Sequence, residues 1–256
     1  MRYKLHLAYD GTDFAGWQLQ PGQRTVQLEL ERALAQLFQH PIRVHPGGRT
    51  DAGVHALDQV VVFDSDVHRT EHQVFKALNG LTPSDIAVMS ATVTAPDFDP
   101  RRWSREKLYR YRWQVSAVPD PLRRRTVRWL RGPFDVSAGH DAAQVLVGTH
   151  DFATFRAVGC ASKHAVRHVY SLELTEQGDE VHLMVRGNGF LRHMVRIIAG
   201  CVEAVALGRQ PASWVQDALE ARERSAAGQT LPARGLCLMK TSYTDEPPPW
   251  AAISPG

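Results

Sequence analysis

The chain has 256 residues, 43% of them hydrophobic and 22% charged, enough for one large domain or two small ones that each bury a core. Its three cysteines, Cys160, Cys201 and Cys237, are too far apart for a Cys-x-x-Cys pair and too odd in number for a disulfide framework, so a reducing, cytoplasmic setting is expected. No apolar run reaches the roughly 18 residues of a membrane span, the N-terminus alternates instead of forming an export signal, and a net charge of +3 says little about partners.

Residues 2–10 place Tyr3, Leu5, Leu7 and Tyr9 on one face and read as a strand ending at Asp10-Gly11-Thr12. After a long loop, Thr25 is an N-cap for a helix with Val26, Leu30, Ala33, Leu34 and Leu37 on its apolar stripe, stopped by Pro41. Short strands follow at 42–45 and 59–63, then a helix from Thr70 that Asn79-Gly80 ends, then a strand over 85–94. This β-α-β-β-α-β order is that of a ferredoxin-like unit.

The second half repeats much of it: a strand over 107–115, a helix over 135–147, strands at 166–174 and 180–186, a long helix over 190–207 and a closing strand over 235–243, with an extra helix near 212–222. The expected fold is therefore α+β, two tandem ferredoxin-like (split β-α-β) units forming an extended, mostly antiparallel sheet with a central basic cleft. The units divide as residues 1–98 and 99–245, the boundary lying near 96–100, and 246–256 form a disordered tail.

Between the strands at 42–45 and 59–63 lies Gly47-Gly48-Arg49-Thr50-Asp51-Ala52-Gly53-Val54-His55-Ala56. One carboxylate, Asp51, sits among three glycines, which permit tight backbone shaping around a ligand. A surface turn in which Asp51 caps or pairs with Arg49 is the bland alternative. His55 has no metal-ligand partner at suitable spacing and reads as a neutral histidine satisfying loop backbone groups.

Residues 101–131 hold eleven of the thirty Lys/Arg residues (Arg101, Arg102, Arg105, Lys107, Arg110, Arg112, Arg123, Arg124, Arg125, Arg128 and Arg131), against Glu106 and Asp120. Interleaved with Trp103, Tyr109, Tyr111, Trp113 and Trp129, they suggest a surface that tracks phosphates and stacks bases. The strand alternation makes Tyr111 and Trp113 core residues and leaves Tyr109 as the better stacking candidate. In the long helix, Arg192 and Arg196 share the first turns, where a cation opposes the helix dipole and calls for a negative partner such as phosphate or Asp51.

Taken together, the Asp51 loop, the strand Lys107-Leu108-Tyr109-Arg110-Tyr111 and the helix start Phe190-Leu191-Arg192-His193-Met194-Val195-Arg196 resemble the TruA-type tRNA pseudouridine synthases. Further matches are Tyr9-Asp10-Gly11-Thr12-Asp13-Phe14-Ala15-Gly16-Trp17-Gln18, Asp151-Phe152-Ala153-Thr154-Phe155-Arg156 and Gly235-Leu236-Cys237-Leu238, in the family's order. The resemblance implies an isomerase that converts uridine to pseudouridine at positions 38, 39 and 40 of the tRNA anticodon stem-loop, without a cofactor or metal, as a cytoplasmic homodimer. By the same resemblance Asp51 is the nucleophile, Tyr109 stacks on the target uracil and Arg196 pairs with Asp51. Arg49 contacts the flipped nucleotide or its backbone, and Leu236 packs against the base. His45-Pro46 and the dense Arg123-Arg124-Arg125 run depart from the family pattern and leave open how the tRNA lies along that segment.

Two other classes compete. A non-catalytic tandem RNA-binding protein has no reason to place a phosphate-repelling carboxylate in a basic groove. A metal-dependent hydrolase or nuclease needs two or more convergent acids or histidines, and the sequence around Asp51 offers one acid.

Overall fold

A computed structural model of the protein describes residues 1–160, 162 and 164–243. The expected disordered tail, 246–256, lies outside them. The fold is mixed α+β, with mostly antiparallel strands and few helices. Two compact units emerge: Met1–Arg105 together with the chain from Leu238 onward, and Glu106–Cys237. The closing strand therefore falls with the first unit from Leu238 on, whereas the sequence division assigned it to 99–245.

In the first unit, β1 (Arg2–Tyr9) buries Tyr3, Leu5, Leu7 and Tyr9 and leaves the intervening residues partly open, the alternation of a half-buried strand. α1 (Val26–Phe38) is capped by Thr25, whose hydroxyl accepts the Leu28 N–H. Phe38, not Leu37, completes its buried stripe, and α1 ends at Gln39 in a left-handed conformation (φ 62°) before Pro41 is reached. β2 (Val44–Pro46) and β1 both pair antiparallel with β3 (His55–Asp64), which starts four residues earlier than the apolar run at 59–63 implies.

α2 (Glu71–Leu81) opens with a capping box between Thr70 and Gln73. Asn79-Gly80 does not end it. The Asn79 side chain instead donates to the Val88 carbonyl (2.9 Å) and accepts the Val88 N–H (2.9 Å), tying α2 to the edge strand β4 (Ile86–Val93), which pairs with β1.

In the second unit, β5 (Ser104–Val115) buries Tyr111 and Trp113 completely, as the alternation implies. Two strands were not anticipated. β6 (Arg128–Leu130) is three residues long, pairs parallel with the end of β5 and is hidden in sequence by its arginine-rich setting. β7 (Gly148–Asp151) has no apolar residue to mark it. α3 (Val136–Ala143), capped by Asp135, is shorter than the expected helix because the chain tightens into a 3₁₀ turn at Gln144–Leu146.

β8 (Val166–Gln177) and β9 (Glu180–Gly187) form a hairpin, β9 pairing with β5 and β8 with β7. α4 (Met194–Ala206) starts four residues later than expected because His193 takes a left-handed conformation (φ 63°), which no residue inside a right-handed helix can hold. Arg192 accordingly stands exposed ahead of the helix and does not share its first turns with Arg196. α4 is buried almost all round and passes so close to the 224–235 segment that a Cβ on Gly200 would lie 2.0 Å from the Gln229 carbonyl. α5 (Trp214–Ala221) follows, and β10 (Leu236–Tyr243) leads the chain back into the first unit beside β3.

Candidate active site

The Asp51 loop is shaped by a second motif, residues 9–17, that folds under it. The Tyr9 hydroxyl and Thr50 Oγ1 meet at 2.8 Å in a buried hydrogen bond, and the Trp17 N–H donates to the Thr50 carbonyl at 3.1 Å. One residue further on, the Val54 N–H closes a turn onto the Asp51 carbonyl (3.1 Å), while the Gly53 N–H reaches back to Phe14 (3.3 Å).

Thr50 is thus buried and held by both Tyr9 and Trp17, Arg49 before it is exposed, and Asp51 after it is half-buried at the tip. The two layers lie so close that a Cβ on Gly11 would come within 2.0 Å of the Val54 carbonyl and one on Gly16 within 2.8 Å of the Thr50 carbonyl. Gly53 adds a positive φ of 77°. On the far side, Gln59 donates to the Gly48 carbonyl at 2.5 Å.

His55 belongs to this scaffold. Its Nδ1 accepts the Gly11 N–H at 3.1 Å, a contact to loop backbone. Asp10 Oδ1 stands 3.1 Å from the same nitrogen but is itself occupied by the Thr12 N–H and hydroxyl. The bed of the loop is anchored below by Asp58 on β3, which takes His6 Nδ1 at 2.5 Å and the Thr241 N–H of β10 at 3.1 Å. Burial pushes the Asp58 carboxyl up, but these two hydrogen bonds together with the charges of His6 and Lys240 hold it below the usual range.

Within the second unit, Tyr109 lies on β5 opposite Val185 and meets Phe190 edge to face, with ring centroids 5.3 Å apart. Arg196 lies in the first turn of α4. Its Nε donates to the Leu231 carbonyl at 2.6 Å, and the Leu231 N–H returns to the Arg196 carbonyl at 3.2 Å. Tyr111 donates to the Pro232 carbonyl at 3.0 Å, and a Cβ on Gly235 would meet the Tyr111 ring at 2.6 Å. The 231–235 segment is therefore wedged against both β5 and α4, and it delivers Leu236, 5% exposed, at the head of β10.

Part of the basic segment is neutralised within the fold, while Arg101, Arg102, Arg124, Arg125 and Arg131 are exposed. Arg123 is held by Asp120 (2.8 Å), Asp179 (2.6 Å) and Glu180 (2.9 Å), and Arg112 approaches Glu180 at 3.5 Å. Hydrogen bonds to Asp179 and Glu180 drive the Arg123 guanidinium up, and Arg123 in turn holds the Asp179 carboxyl down at about 2. Arg128 forks onto Glu203 (2.5 and 2.8 Å), a carboxylate 1% exposed that also accepts the Trp113 indole N–H at 2.8 Å.

The aromatics divide in the same way. Trp103, expected at a base-stacking surface, is buried in the first unit with Val62 and Phe98. Trp129 donates to the Ser116 carbonyl at 3.1 Å. These acid partners were missed because Asp179, Glu180 and Glu203 lie far along the chain. Among the described residues, no three His, Cys, Asp or Glu converge on a common point, and no helix is long and apolar enough to cross a membrane.

The site thus presents a half-buried carboxylate, Asp51, at the tip of a loop stapled to residues 9–17, in a mixed α+β protein with a long aromatic strand, β5. The profile of the tRNA pseudouridine synthase family matches residues 6–101 and 142–244, and the chain belongs to that family, whose members are isomerases acting on tRNA. It is 47% identical over 256 residues to tRNA pseudouridine synthase A of Myxococcus xanthus, covering 100% of this chain and 96% of the relative. It is 41% identical over 262 residues to tRNA pseudouridine synthase A of Burkholderia thailandensis, covering 99% and 97%. Among solved structures, a chain of a Cbf5-Nop10-Gar1 complex aligns over 88% of this chain and 69% of its own length at 12% identity, with a TM-score of 0.33.

Proposed function

We propose that the protein isomerises uridine to pseudouridine at positions 38, 39 and 40 in the anticodon arm of tRNA, with Asp51 as nucleophile. The observation that carries this reading is the placement of Asp51, half-buried one residue beyond a Thr50 pinned by Tyr9 and Trp17, in a chain that belongs to a tRNA pseudouridine synthase family. The C1′–N1 bond breaks, the uracil turns and C1′–C5 forms. N1 gains a proton and C5 loses one, so the reaction needs neither redox change nor group donor, and one carboxylate beside the ribose is sufficient to take part.

The target base leaves its stack at a cost of a few kcal/mol, and stacking on Tyr109 returns about 1–3 kcal/mol of that. Phe190, edge-on to Tyr109, limits where that ring can turn. In this reading Arg196 pairs with Asp51 and keeps it ionised in a closed pocket, Arg49 contacts the flipped nucleotide or its backbone, and Leu236 packs against the base. The enzyme works in the cytoplasm as a homodimer. Each half is read as a ferredoxin-like unit, 1–98 with the acid loop and 99–245 with the Tyr109 strand and the Arg196 helix. The β1-α1-β2-β3-α2-β4 order of the first unit, with β1 between β3 and β4, supports that reading.

The test is tritium release from tRNA carrying 5-tritiated uridine. Wild type is expected to release tritium, and Asp51→Asn to release none while still binding tRNA. Release by Asp51→Asn at the wild-type rate, or tRNA binding without release by the wild type, would overturn the assignment.

A further inference from the structure

The second unit contains a cavity of about 350 Å³ that the catalytic reading does not use. Its walls include Arg156, Arg222 and Arg224, with Ala157, Gly159 and Cys160 between them. The three arginines come from different elements. Arg156 ends the Asp151-Phe152-Ala153-Thr154-Phe155-Arg156 motif, whose Phe152 and Phe155 are fully buried and anchor the turn. Arg222 caps the C-terminus of α5 in a left-handed conformation (φ 55°), and Arg224 opens the 3₁₀ turn after it.

Among the described residues, Arg156 and Arg224 have neutral partners: Arg156 donates to the Ser162 carbonyl at 3.4 Å, and Arg224 to the Ala227 carbonyl at 3.4 Å and Thr230 Oγ1 at 3.0 Å. Among the described residues, Arg222 has one carboxylate nearby, Asp151, whose Oδ2 stands 3.9 Å from its Nε, beyond hydrogen-bond reach, while Oδ1 accepts the Ala153 N–H. Three arginines thus line one cavity, and among the described residues the ion pair recorded for them is the 3.9 Å approach of Arg222 to Asp151. The cavity's volume is at the lower end of those that bind small ligands. Guanidinium forks in that arrangement select phosphate, whose oxygens accept parallel N–H bonds.

The cavity is also joined to the helix that carries Arg196. The Ala157 N–H donates to the Arg192 carbonyl at 3.0 Å, and the segment that Arg224 holds at Thr230 continues into Leu231, the partner of Arg196.

We propose that Arg156, Arg222 and Arg224 form a phosphate site that takes a backbone phosphodiester of the RNA substrate. The proposal depends on the reading of tRNA as substrate but not on Asp51 chemistry. It is tested by fluorescence anisotropy of labelled unmodified tRNA across a salt series.

Loss of one phosphate contact lowers the slope of log K against log salt by about 0.7–0.9. Arg222→Gln is expected to show that loss with affinity about tenfold weaker, Arg156→Gln/Arg222→Gln to lose about twice the slope, and Arg222→Lys to recover most of it. Turnover at saturating tRNA stays near wild type in Arg222→Gln while KM rises. Arg209→Gln removes another exposed arginine outside the cavity and leaves the slope unchanged.

Equal slopes for Arg222→Gln and Arg209→Gln, in variants whose melting matches wild type, would overturn the proposal. So would failure of Arg222→Lys to recover any slope. If wild type bound tRNA with the expected slopes but released no tritium, the phosphate site would stand and the catalytic assignment would fall.

Discussion

Two groups of arginines in the second unit look alike in number and differ in what faces them. Arg112, Arg123 and Arg128 come from the most basic stretch of the chain, and each meets a carboxylate: Glu180 for Arg112, Asp120, Asp179 and Glu180 for Arg123, and Glu203 for Arg128. Arg156, Arg222 and Arg224 come from stretches with no excess of basic residues, Arg222 and Arg224 alternating with Glu220 and Glu223. Among the described residues they meet carbonyls, one hydroxyl and one distant carboxylate. Charge counted along a sequence is therefore a poor guide to the potential at a surface. What matters is whether the fold returns a carboxylate to each cation, because a paired arginine has little field left to offer a phosphate.

That comparison can be broken at several points. The largest effect is expected from Glu203→Ala, which strands the half-buried Arg128 guanidinium and the Trp113 N–H together. Removing one partner of a buried pair costs about 3–5 kcal/mol, and a thermal melt should fall by about 10 °C. A melt unchanged within about 2 °C would show that Glu203 is not the counter-charge that stabilises Arg128.

Next in size is the contrast between clusters. Arg123→Gln, which removes a half-buried and already neutralised cation, is expected to change tRNA affinity less than about twofold, against about tenfold for Arg222→Gln. Equal losses for the two variants would show that pairing with carboxylates does not set which arginines bind tRNA.

The smallest effect is on pH. The Asp179 carboxyl is depressed to about 2, chiefly by its hydrogen bonds from Arg123. A depressed folded-state value means a stabilising contribution that is complete above the ordinary carboxylate value of 3.8 and is lost as pH falls towards 2. The difference in melting temperature between wild type and Asp179→Asn should accordingly be constant from pH 7 down to about 4 and vanish near pH 2. A difference that grew on acidification would reverse the sign and refute the pairing.

Much of the first unit could be read in advance because its signals are local. Alternation along β1, the Thr25 and Thr70 caps and the stripe of α1 all lie within a turn or two of the residues they organise. The Asp51 loop was visible for the same reason, three glycines around one acid. What keeps it in place was not visible: Tyr9 on Thr50, Trp17 on Thr50 and Gly11 against Val54 join residues about forty positions apart. The burial of Trp103 is not legible in sequence because an aromatic between arginines reads the same whether it faces solvent or Phe98.

The sequence by itself determined the class of elements, the presence of a single acid in a glycine-rich loop and membership of a family, since each depends on residue identity or short-range periodicity. Tertiary structure decided where α4 begins, through the left-handed His193, and which short segments become β6 and β7, through pairing with strands already in place. It also decided which arginines keep their charge available, because pairing a cation with an acid depends on distance in space, and in this chain the partners Arg128 and Glu203 are 75 residues apart.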